Sequence, residues 1–346
     1  MIDLTSCFDL LLPAGLRAAL RTPREVEHFG TNPGCLQMFS YIPNGIGKNP
    51  PLVVVLHGAT QTAAEYAHGS GWLTLADRYG FALLFPQQRR ANNPFACFHW
   101  YRRRDSERGQ GEARSIWQMV ERMVADHNID RRSLFITGLS AGGAMTNVML
   151  ATYPEVFTAG AVIAGLPYAA ACNLPEALRS MSPGTKRASG DWGDRVRAAS
   201  TNTGPWPRVS IWHGDADTIV HSDNAGETMK QWGNVHGLPQ QPTFSEHMKG
   251  CQRQVWCNER GESQIERYGI PHMQHGTPLE PGNDGPKCGA TGRYFLDVGI
   301  SSSWLIAKFW GLVGECAVAL IAPAALIAST ALPASEGACA YVNEPA

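Results

Sequence analysis

Gly138-Leu139-Ser140-Ala141-Gly142 is the stretch whose residue types and spacing point most directly to chemistry. An apolar, β-prone run from Ser133 to Thr137 leads into it, and the helix-compatible Ala144 to Leu150 follows. At such a strand-to-helix turn the serine is pushed out as a nucleophile, and the next amide faces the oxyanion that its attack would create. The serine then needs a base and the base an orienting acid, in the chain order Ser, Asp, His. His213-Gly214-Asp215-Ala216-Asp217-Thr218-Ile219-Val220 offers the acid, and Pro271-His272-Met273-Gln274-His275-Gly276 the base. Asp217 is favoured over Asp215 because Gly-x-x-Asp-x-x-Val is the usual form of the acid loop. His275 is favoured over His272 because it lies on a late loop and precedes a glycine. His57 and His213, each just after an apolar run, are expected to be structural supports.

The turn His57-Gly58-Ala59-Thr60-Gln61 is expected to complete an oxyanion hole, with the Ala141 amide as one donor and Ala59 or Thr60 as the other. Gln61, Trp100 and Trp212 are the candidate substrate contacts. Phe95, Phe98, Trp100 and Tyr101 share a long polar loop, Gln87 to Gly111, where they either line an acyl or aryl pocket or pack the loop itself. The chemistry expected is two-step acyl transfer through an acyl-enzyme, which calls for no metal and no organic cofactor.

These loops need a scaffold. Leu52 to Leu56 is a continuous apolar run, as in a strand buried on both faces of a parallel sheet. Phe81 to Pro86, Ala159 to Gly165, Arg208 to Gly214 and Ile265 to Ile270 repeat the pattern, and Leu36 to Ile42 alternates like an edge strand. Thr62 to Tyr79 predicts one helix; Glu112 to His127 and Asn224 to Trp232 predict others. Leu166 to Pro207, with its Gly, Pro and Ser, is expected to be an irregular insertion. The rhythm predicts an α/β fold, a mostly parallel sheet with helices on both faces.

The 346 residues are 44% hydrophobic and 17% charged, as in a globular protein with a sizeable core. With 29 basic and 30 acidic residues the formal charge is −1, which argues against nucleic acid or an anionic membrane as a bulk partner. The nine cysteines suit an oxidising compartment. At least one disulfide is expected, involving Cys97, Cys172, Cys251, Cys257 or Cys288. Their spacings offer no metal quartet. The segment 1–34 is expected to be a leader without a visible signal peptide, 35–310 the catalytic domain, and 311–346 an apolar tail, packed or disordered rather than a membrane anchor.

Five segments together resemble the esterase group of poly(3-hydroxybutyrate) depolymerases, which is similar to feruloyl and acetylxylan esterases. They are Leu56 to Gln61, Cys97 to Tyr101, Gly138 to Met145, Trp212 to Asp217 and His275 to Leu279. The resemblance implies an α/β-hydrolase fold and a serine esterase with Ser140, Asp217 and His275 as its triad. It also implies an extracellular or periplasmic location. The partner expected is a small or oligomeric ester, with a feruloyl or acetylxylan esterase as the alternative and a catalytically silent scaffold as the rival outside enzymes. Short soluble hydroxyalkanoate oligomers are expected to be better substrates than crystalline polymer.

Overall fold

The computed structural model describes residues 21–183 and 185–314. In chain order the elements are β1 (Arg24–Glu25), β2 (Gln37–Tyr41), β3 (Leu52–Leu56), α1 (Ala63–Ser70), α2 (Trp72–Tyr79) and β4 (Ala82–Gln87). Next come α3 (Arg103–Ser106), α4 (Gly111–His127), β5 (Leu134–Leu139), α5 (Ala141–Thr152) and β6 (Ala159–Ile163). Then follow α6 (Leu174–Met181), α7 (Ser189–Arg197), β7 (Arg208–Gly214), α8 (Asp223–Val235), β8 (Phe244–Met248), β9 (Cys251–Cys257) and β10 (Ser263–Ile270). The last are β11 (Thr277–Leu279), β12 (Phe295–Asp297) and α9 (Ser302–Trp310).

The ten strands β1-β2-β4-β3-β5-β6-β7-β10-β9-β8 form one sheet in that order. Its centre, β4 through β10, is parallel, while β1, β2, β9 and β8 run antiparallel to their neighbours. The continuous apolar runs have a simple cause: both sheet faces are covered. Leu52, Val54 and Leu56 of β3 pack with Met119 and Val120 of α4 and Met145 and Val148 of α5. Val53 and Val55, pointing the other way, pack with Tyr66 of α1, Leu75 of α2 and Ile306 and Trp310 of α9. Burial on both sides selects Val and Leu at every position rather than at alternate ones.

The helix expected over Thr62 to Tyr79 is two. A capping box between Thr62 and Glu65 starts α1, and Gly71, at φ +86°, breaks the path before α2. The expected irregular insertion holds α6 and α7, and Trp192 of α7 is fully buried. Its indole donates to Glu227 Oε2 of α8 at 2.7 Å. Residues 21–34, expected in the leader, join the folded unit: β1 pairs with β2, and the Gly34 amide donates to Ser115 Oγ at 2.8 Å. Leu312 and Val313 are buried, while the rest of the expected tail lies outside the described residues, as does the leader before residue 21.

The expected disulfide is not formed among the described residues. Cys35, Cys97, Cys172, Cys251, Cys257 and Cys288 are all free. Cys251 and Cys257 occupy the two ends of β9, six residues apart on one extended strand, so about 20 Å separates them. Cys288 instead meets Ser301 Oγ at 3.1 Å, and Cys251 Sγ donates to Met248 O at 3.1 Å. Denatured, unreduced protein should therefore be alkylated at both Cys251 and Cys257; a peptide crosslinked between them would contradict this geometry.

Candidate active site

Because β3, β5, β7 and β10 are mutually parallel, the loops after them emerge at one edge of the sheet. Those loops carry His57 to Gln61, Ser140, Asp217 and His275 in turn. Ser140 stands between β5 and α5 with φ +57° and ψ −117°, a conformation that L residues seldom adopt. Its amide donates to Ile163 O at 2.8 Å, and its carbonyl accepts the Ala144 amide at 2.8 Å. The flanking glycines are required by contact. A Cβ on Gly138 would come within 2.4 Å of the Gly142 backbone, and one on Gly142 within 2.4 Å of Leu56 O. The first turn of α5 thus touches the end of β3, and all of α5 is buried behind the serine.

Asp217 and His275 meet. His275 Nδ1 lies 2.7 Å from Asp217 Oδ2, so the proton sits on Nδ1 and leaves Nε2 as an acceptor. The other carboxylate oxygen, Oδ1, accepts the Ile219 and Val220 amides, both at 2.9 Å. Burial works against the charge on Asp217, but hydrogen bonds from His213 and His275 hold its carboxyl well below the usual range. Asp215 plays a different part, because its Oδ1 accepts the His272 amide at 2.6 Å and so ties the acid loop to the base loop. Between Ser140 Oγ and the His275 ring no hydrogen bond is formed; such bonds often tighten only when substrate is bound.

His213, expected as a support, does more than pack. Its Nε2 faces Val220 O at 2.8 Å, which fixes the proton there, and lies 3.2 Å from Asp217 Oδ2. Sequence reasoning missed this contact, although a histidine four residues before the acid at a strand end could have suggested it. His57 is a support as expected. The Gln88 amide donates to its Nε2 at 3.1 Å, so Nδ1 carries the proton and donates to Gly58 O at 2.8 Å. Burial lowers its pKa to about 4.

The oxyanion turn narrows the expected donors. Thr60 is not free, because its amide donates to Phe95 O at 2.6 Å; the Ala59 amide has no protein partner among the described residues, nor has that of Ala141. Gln61 is buried and its Oε1 accepts the Gly58 amide at 2.9 Å, so that oxygen braces the turn rather than facing a substrate. Trp100 and Trp212, the other candidate substrate contacts, are both buried. Trp100 is 5% exposed and packs edge-on to Tyr101; Trp212 is fully buried, stacked on Tyr268 at 3.6 Å with its indole donating to Ser210 Oγ. Of the loop aromatics Phe98 is buried against His57, whereas Phe95 is 67% exposed.

A buried polar cluster anchors that loop. Glu112 of α4 accepts the His99 amide at 2.8 Å, the His99 ring at 2.6 Å and Gln88 Nε2 at 2.5 Å. His99, Asp105 and Glu112 hold their ligand-type atoms within 4.8 Å of one another, the grouping a cation would need, but both Glu112 oxygens already accept protein donors. Burial pushes the Glu112 carboxyl up, against the effect of the His99 bonds.

Known proteins share this arrangement of chain and fold. The esterase PHB depolymerase family model matches residues 36–246. The chain is 47% identical over 291 residues to poly(3-hydroxyalkanoate) depolymerase C of Paucimonas lemoignei, covering 84% of this chain and 70% of that protein. It is 35% identical over 274 residues to an acetylxylan esterase of Coprinopsis cinerea, covering 77% and 71%. With feruloyl esterase B of Talaromyces funiculosus it is 34% identical over 245 residues, covering 68% of each. An acetyl xylan esterase structure from Aspergillus awamori superposes with a TM-score of 0.72 over 84% of this chain and 100% of that one, at 24% identity. The shared architecture is the α/β-hydrolase fold.

The neutral His57 has a consequence for stability. Its pKa is about 4 in the folded protein against 6.5 for the free side chain, so the unfolded chain binds a proton that the folded one refuses. This stabilisation is complete above about pH 6.5 and drains away as pH falls towards 4, by about 3 kcal/mol. His236, also lowered to about 4 by burial, adds in the same direction. The urea midpoint of His57→Asn should fall less steeply between pH 7 and 4.5 than that of the wild type; equal slopes would contradict the assignment.

Proposed function

The chain belongs to the esterase PHB depolymerase family, and from that premise we propose that it is a serine esterase acting on short hydroxyalkanoate oligomers through Ser140, His275 and Asp217. The observation that carries the mechanism is the 2.7 Å Asp217–His275 bond, formed on the same sheet edge from which Ser140 emerges. His275 Nε2 takes the Ser140 proton as Oγ attacks the ester carbonyl. The oxyanion is received by the Ala59 and Ala141 amides, the alcohol leaves with the proton from His275, and water repeats the sequence on the acyl-enzyme. Asp217 fixes the imidazole tautomer and stabilises the imidazolium.

The substrate class rests on the relatives. Identity is 47% to the poly(3-hydroxyalkanoate) depolymerase against 35% to the acetylxylan esterase. The second reading, an acetylxylan or feruloyl esterase, is favoured by the relatives with those names. An extracellular or periplasmic site of action goes with either substrate.

Wild-type protein should hydrolyse dissolved 3-hydroxybutyrate trimer faster than crystalline polymer film, and faster than it releases acetate from acetylated xylan or ferulate from methyl ferulate. Ser140→Ala should lower kcat on the trimer by about 10⁴-fold or more. Asp217→Asn should lower it by about 10³- to 10⁴-fold. Equal rates on film and trimer, or ferulate release without trimer cleavage, would contradict the substrate class; full activity in the Ser140 variant would contradict the mechanism.

A further inference from the structure

Beside the oxyanion turn lies a cavity of about 340 Å³, large enough for a small organic ligand. Thr60, Gln61, Glu65 and His68 form one wall, and Arg293 and Tyr294 another. Two of its features tie it to the reacting atoms. Thr60 and Gln61 belong to the turn that presents the Ala59 amide, and Tyr294 sets its ring edge-on to His275, with centroids 5.9 Å apart and planes at 83°. The Tyr294 carbonyl also accepts the Thr277 amide at 2.8 Å, and Thr277 is two residues beyond His275. The cavity therefore flanks the base, and the base hands its proton to the departing alcohol.

Arg293 supplies the cavity's chemistry. Its guanidinium lies 5.0 Å from the Tyr294 ring centroid, and Nη2 donates to the Tyr294 hydroxyl at 3.1 Å. Those are its partners among the described residues, so the exposed guanidinium leans on the neighbouring ring at the cavity's rim and has no carboxylate partner. The acidic residue of the wall does not fill that role: Glu65 Oε2 accepts the Thr62 amide at 2.8 Å and the Thr62 hydroxyl at 3.1 Å, closing the cap of α1. A guanidinium without a carboxylate partner at the cavity's rim is a receptor for an anionic carboxylate.

We propose that this cavity is the subsite for the leaving portion of the ester and that Arg293 binds a free carboxylate there. The inference rests on the reading of Ser140, Asp217 and His275 as an ester-cleaving site. In a hydroxy-acid oligomer, hydrolysis of the last ester breaks the acyl C–O bond. Ser140 Oγ takes the acyl carbon and its proton passes through His275 to the departing alkoxide; water then splits the acyl-enzyme, its hydroxyl going to the acyl carbon and its proton back through His275 to Ser140 Oγ. The leaving group is then a hydroxy acid, whose own carboxylate is negative at neutral pH. Arg293 thus selects the carboxyl end of the oligomer, and the enzyme trims one unit at a time from that end.

The test compares 3-hydroxybutyrate trimer as the free acid with the same trimer as its methyl ester. For the wild type kcat/KM should favour the acid by about five- to tenfold, mainly through KM. Arg293→Gln should bring the ratio close to one, and Arg293→Lys should retain part of the preference. With a ¹³C label in the carboxyl-terminal unit, labelled monomer should appear first. A wild-type ratio near one, or a ratio unchanged in Arg293→Gln, would overturn the subsite while leaving the esterase reading intact. Failure to cleave either trimer with a working Ser140 would overturn both. Unchanged urea midpoints for the two Arg293 variants establish that the ratio reports binding rather than folding.

Discussion

One carboxylate organises the reacting edge of this molecule. Asp217 Oδ2 faces two imidazoles at once, His275 at 2.7 Å and His213 at 3.2 Å, while its partner oxygen takes two backbone amides. A buried carboxylate is costly unless its lone pairs are used, and here the acid loop wraps itself around the charge to use them. The same contacts that keep Asp217 ionised hold His275 in the tautomer whose free nitrogen can accept a proton. Without the anion His275 loses the contact that sets its tautomer, while the Asp215–His272 bond still tethers the base loop to the acid loop.

The opposite side of the site is held by a second chain of buried polar contacts. Glu112 gathers Gln88 and His99, the Gln88 amide fixes His57, and His57 fixes the Gly58 carbonyl. The Phe95 carbonyl takes the Thr60 amide, which leaves the Ala59 amide as the one in Gly58 to Gln61 without a protein partner among the described residues. The network sits under the long loop rather than at the reacting atoms. It anchors the 25-residue polar connection from Gln87 to Gly111 through buried hydrogen bonds.

Much of this was legible in the sequence, and the physical reasons are specific. Strands such as β3 and β5 announce themselves because burial on both faces demands unbroken apolar runs, and Gly138 and Gly142 announce the turn because no side chain fits there. What was hidden depends on contacts distant in the chain. The use of the Thr60 amide is decided by Phe95, and the burial of Trp212 by a stack on Tyr268. β8 is almost entirely exposed, so its sequence, Phe-Ser-Glu-His-Met, carries no apolar pattern. The helices α6 and α7 were obscured by the Gly, Pro and Ser around them, although Asn173 caps the first in the ordinary way. The cysteine count suggested a crosslink, and the extended path of β9 excludes one of the candidate pairs, Cys251 with Cys257.

The parallel register of β3, β5, β7 and β10 brings the loops that carry residues 57, 140, 217 and 275 to one sheet edge, and the proposal stands on their acting there together. Its most direct measurement is covalent capture: incubation with an aryl diethyl phosphate, followed by intact mass and peptide mapping, in the wild type and in His275→Ala. One diethylphosphoryl group is expected on Ser140 in the wild type, with labelling slowed by several orders of magnitude in the variant. A label on another residue, or equal labelling rates in the two proteins, would contradict it.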